Sequence, residues 1–144
     1  MAYCVIGDVQ ALNAQRGAYS GTTKPSINDV NAFIIEIAEE IDSVLVSVGV
    51  SVPVTGTTVF LKRLNVMGAA AMAEASMAMD GTTESIEARN WRWSIYQEGL
   101  KDIRTNPAIV GVMPAAVTTS GARSDYTSGF TNTNAEFTSS GGMW

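Results

Sequence analysis

The chain has 144 residues, 46% of them apolar, with 14 acidic against 9 basic residues, no histidine and a single cysteine. That length can hold one domain with a real core, and a net charge of -5 argues against gripping nucleic acid through phosphate neutralisation, though not against DNA passing nearby without being held. Without histidine and with Cys4 alone, an intrachain disulfide, a Cys/His zinc site and the usual Ser/His or Cys/His nucleophile pairs are excluded.

The N-terminus reads without a secretory leader, and no apolar run is long enough to cross a bilayer, so the chain is expected to be cytosolic or particle-bound. Cys4, in "YCVI", is expected to be a small core residue rather than a reactive thiol. "GDVQALNAQ" places Val9 and Leu12 on one side of a short helix started by Asp8 near its positive end. After a loop, Pro25 and Ser26 open a second helix, with Ser26 and Asp29 spaced as a capping box. Ile27, Val30, Ile34, Ile37, Ile41, Val44, Leu45 and Val48 then recur at three- and four-residue steps and end near Gly49. "VSVGVSVPV" alternates valine with small residues; Gly49 and Pro53 favour an extended connector over a short edge strand at Val50 to Val54.

A third helix is expected from about Thr58 to Met79. Phe60, Leu61, Leu64, Met67, Ala71 and Ala75 form one apolar side, with Val59, Val66, Ala70 and Met77 roughly opposite. A helix apolar nearly all round has to be covered on more than one side, by its own bundle or by another subunit. Its methionines read as gap-filling core rather than as a binding groove. Thr82 or Thr83 caps a fourth helix running to about Arg104, with the seam Ile86, Trp93, Tyr96, Leu100 and Ile103 and with Trp91 off it. Asn106-Pro107 stops that helix. Three Gly-Thr-Thr triplets, beginning at Gly21, Gly56 and Gly81, stand before helical patterns at unequal spacing, so they mark joints and not repeats. The expected fold is all-α: a compact bundle of about four helices over residues 1–105 and a long, mostly irregular C-terminal arm over residues 106–144.

Two features bear on function. The second helix carries Asp29, Glu36, Glu39, Glu40 and Asp42 and no Lys or Arg; Asp29, Glu36 and Glu40 project close to one line. This is either a solvated face or one that meets the basic residues of a neighbouring copy's fourth helix or lines a DNA passage. The terminal "TSGFTNTNAEFTSSGGMW" is a polar thread bearing Phe130, Phe137, Met143 and Trp144. Such a composition cannot bury enough surface to order itself, while each ring offers much area for few ordered residues, as in an arm that folds onto something else. No glycine-rich phosphate loop, cation loop or converging acid-base set is present, so no catalytic, cofactor or metal residue is expected.

"DVQALN", "FIIEIAEEIDSVLVSVGVSVPV", "LKRLNVMGAAAMAEA" and "YQEGLKDIR", in that order and over nearly all the helical part, resemble the head-tail connector (adaptor) proteins of long-tailed bacteriophages. The resemblance implies a small helical bundle without enzymatic activity that forms a twelve-fold ring beneath the portal, extends the DNA channel and gives the tail a docking surface. It implies as partners further copies of the chain, the portal protein and a tail-side neck or tail-completion protein, with DNA passing through unread and no membrane. It implies a place in the virion neck after synthesis in the host cytoplasm. "EFTSSGGMW" looks like the connector ending that reaches the portal, which makes Phe130, Phe137, Met143 and Trp144 the expected anchors; the spacer Thr105 to Asp125 departs from the pattern. The alternatives are another neck or tail-completion protein of the same particle, or a small helical binding module outside any virus.

Overall fold

The computed structural model describes residues 1–14, 17–55, 58–77 and 83–111. They form four helices, α1 (Ile6–Leu12), α2 (Ile27–Ser47), α3 (Val59–Met77) and α4 (Thr83–Thr105), followed by a 3-10 turn, Pro107–Val110, in an all-α bundle. Residues 112–144, with the expected arm and its aromatic anchors, lie outside the described residues.

Local chemistry fixes the ends of these helices. At α1 the Asp8 carboxylate accepts the Val5 N–H at 3.0 Å. At α2 the Ser26 hydroxyl accepts the Asp29 N–H at 3.3 Å while the Asp29 carboxylate accepts the Ser26 N–H at 2.9 Å, the reciprocal arrangement read from the sequence. Gly49, at φ +82°, ends α2: its N–H bonds the Val46 carbonyl at 3.0 Å and the Val50 N–H bonds the Leu45 carbonyl at 2.9 Å. These are the two bonds of a Schellman motif, and a left-handed residue is required between them. Thr58 caps α3, its hydroxyl accepting the Leu61 N–H at 3.3 Å. Thr23 bonds instead within its own loop, to Ser20 and the Pro25 carbonyl.

α3 is the central element, covered within its own subunit on several sides. Its Leu61, Leu64 and Met67 join Ile37, Ile41, Val44 and Leu45 of α2 with Tyr96, Leu100 and Ile103 of α4 in one core cluster. Its Ala69, Ala70 and Ala73 join Cys4, Val9, Tyr19, Val30 and Ile34 in a second. Two glycines permit the close approaches. A Cβ on Gly68 would stand 2.8 Å from the Ile37 side chain, and one on Gly99 would stand 2.1 Å from that of Leu64, so a side chain at either position would force its neighbour to shift. No strand forms among the described residues of the connector: it lays Val50 and Val54 into the core as an irregular segment.

Three expectations are corrected. Trp93 and Ile86 are 40% and 37% exposed, so the buried seam of α4 begins at Tyr96. Opposite Trp93, α3 offers Ala71 and Ala75, whose short side chains leave the indole partly open. Ala75 is itself exposed, and Val59 at the start of α3 is 84% exposed. The packed part also continues past the fourth helix, since Val110 of the 3-10 turn is fully buried in the main core cluster.

Candidate functional site

Several ionisable groups pair across elements. Lys62 of α3 bonds Asp8 of α1 at 2.8 Å; that bond, with the Val5 N–H, holds the Asp8 carboxyl below the usual carboxylate range. Arg92 of α4 meets Glu74 of α3 at 3.1 Å in a buried ion pair. The Tyr96 hydroxyl donates to Glu40 at 2.7 Å, and the Tyr3 hydroxyl donates to Asp42. Burial, followed by these carboxylates, pushes both phenols well above their ordinary value. Cys4 is buried, and desolvation with the nearby Asp8 pushes its thiol up to about 12. A thiol so placed is a poor nucleophile at neutral pH. Among the described residues no group of three or more His, Cys, Asp or Glu could hold a metal ion, and no helix is long and apolar enough to cross a membrane.

The acidic line of α2 thus divides. Asp29 closes the N-cap, its two bonds from Ser26 lowering its carboxyl pKa. Glu40 is engaged by Tyr96. Glu36 and Glu39 project outward. Of the basic residues of α4, Arg92 is committed to Glu74, and Glu87, Glu98 and Asp102 stand in the same helix as Arg89, Lys101 and Arg104.

What the outward face of α2 adds is apolar. Ile35 and Val46 are 53% and 57% exposed, and eleven residues of helix separate them by about three turns, which returns them to nearly the same side. Glu39 shares that side and Glu36 lies about 100° round the helix from Ile35, while Asp42, between Glu39 and Val46 on the same side, is engaged by the Tyr3 hydroxyl and the N-terminal ammonium. The sequence reading passed over Ile35 because it adjoins Ile34 and breaks the three- and four-residue rhythm of the core positions.

Two buried polar devices were also missed. The Asn65 side chain accepts the Tyr3 and Cys4 N–H groups at 3.0 and 3.1 Å and donates to the Ile34 carbonyl at 2.9 Å, stapling the N-terminal segment and α2 onto α3. Its signal was its place, four residues after Leu61 on the buried side of α3. Glu74 was the one charge in "GAAAMAEASM", a run otherwise of small and apolar residues and one serine.

A groove of about 360 Å³ opens between α3 and α4. Ala71, Met72 and Ala75 line it from α3, and Arg89, Asn90 and Trp93 from α4. Comparison with protein-family models, with curated proteins and with solved structures finds no match for this chain.

Proposed function

We propose that the chain is a structural protein of a phage particle, a head-tail connector that assembles as a ring under the portal, extends the DNA channel and presents a docking surface to the tail. One observation carries the reading. The four stretches that resemble connectors are the stretches that build this bundle: "DVQALN" supplies most of α1, the long second stretch covers most of α2 and the buried valine connector, the third covers most of α3, and "YQEGLKDIR" is the buried half of α4. A likeness of composition alone would not be expected to track the core in order. The exposed Ile35, Glu36, Glu39 and Val46 of α2 suit a subunit that covers part of its surface by assembly.

On this reading residues 127–144 carry the portal anchors Phe130, Phe137, Met143 and Trp144, and ring symmetry makes individually weak anchors sufficient. Silencing the gene in its phage tests it. The expected result is DNA-leaking or tailless heads, restored by supplying the protein in trans. Infectious particles made without the protein would contradict the reading.

A further inference from the structure

The groove between α3 and α4 combines apolar, aromatic and basic side chains. Ala71, Met72 and Ala75 line it from α3, and the indole of Trp93 with Arg89 and Asn90 lines it from α4. The indole packs on Tyr96, with ring centroids 5.1 Å apart and planes at 43°, and is 40% exposed. Arg89 bonds the neighbouring Asn90 side chain at 3.2 and 3.3 Å and forms no ion pair with the described residues. An apolar slot with an indole and a guanidinium that bonds only a neutral amide among the described residues fits an aromatic side chain next to a carboxylate.

The chain carries such a pair in its own C-terminal segment. Glu136 directly precedes Phe137, and Phe, unlike Tyr126 after Asp125, brings no hydroxyl that an apolar slot would leave unsatisfied. Reach is not limiting, because the 25 residues from Gly111 to Glu136 can span up to about 80 Å when extended, several times the radius of a domain of this size. We propose that Phe137 seats in this groove of its own chain, against Trp93 and Met72, with Glu136 paired to Arg89. The tether supplies an effective concentration of about 1 mM, so even a millimolar site is about half occupied and releases its segment readily to a stronger partner. The inference does not depend on the connector reading: it concerns the isolated chain, whatever later captures the segment.

The test uses the full chain carrying Trp91→Phe and Trp144→Phe, which leaves Trp93 as the sole tryptophan. Acrylamide quenching of Trp93 should rise about twofold on adding Phe137→Ala, as expected for a half-occupied site, and should not respond to Tyr126→Ala or Phe130→Ala. Glu136→Arg should raise quenching in the same way, and Arg89→Glu combined with Glu136→Arg should restore protection, which separates a charge contact from general loosening. Quenching that ignores Phe137→Ala, or that follows Tyr126→Ala instead, overturns the proposal. Protection that grows with protein concentration overturns it too, by placing a neighbouring copy's segment in the groove.

Discussion

Asn65 shows how one polar side chain can set the position of a whole segment. Two backbone N–H groups, those of Tyr3 and Cys4, have their acceptor in its amide oxygen, and its amide nitrogen reaches the Ile34 carbonyl. Replacement by Leu keeps the volume and orphans both donors. At about 1 to 3 kcal/mol for each buried unsatisfied group, Asn65→Leu should cost at least about 2 kcal/mol in chemical denaturation. Tyr96 invites a pH test. Its phenol is raised in the folded chain by burial first and by its bond to Glu40 second. A group whose pKa is raised on folding contributes stability that is complete below its unfolded value, near 10, and is lost as pH climbs above it. Stability should therefore fall from about pH 10 upward, and Tyr96→Phe should flatten part of that fall while costing about 1 kcal/mol at neutral pH. An unchanged alkaline limb in Tyr96→Phe would show that the hydroxyl does not matter.

At the scale of elements, α3 holds the molecule together, and its registry with α4 depends on a buried ion pair as well as on Gly99 under Leu64. Removing one partner leaves a buried charge, so Glu74→Ala should destabilise by about 3 to 5 kcal/mol, whereas Glu74→Leu with Arg92→Met should come back close to wild type. Thermal or urea unfolding of the single and double variants checks this. Most of the element structure was legible in the sequence, because caps and rhythm are local: Ser26 with Asp29, the α2 ladder ending at Gly49, and the all-round apolar character of α3 each follow from neighbours along the chain. The candidate site was less so. A buried Asn or Glu looks in sequence like a solvated one, and only the fold reveals that Asn65 and Glu74 face inward. Trp93 was misplaced for a related reason: helical spacing put it on the seam with Tyr96, but whether a seam position is covered depends on what stands opposite, here alanines.

For the whole molecule, the exposed residues of α2 and the C-terminal segment are where the proposed function can be tested. Glu36 and Glu39 are exposed on α2, as are Ile35 and Val46, while the exposed Asp29 and Glu40 bond Ser26 and Tyr96. Replacing Glu36 with Gln and Ile35 with Ser should leave thermal unfolding within about 0.5 kcal/mol of wild type, as exposed changes do, yet impair ring assembly measured by native mass spectrometry. Normal rings would return these residues to solvent. If the chain is a connector as proposed, it binds the portal protein of the same phage, and that association is the most direct test. Native mass spectrometry of the two proteins mixed should show twelve copies bound to a portal ring, and deleting residues 135–144 should abolish that complex while leaving the helical circular dichroism of the bundle intact. A full-length chain that never binds the portal, or a truncated one that binds it as well as the parent, would contradict the account.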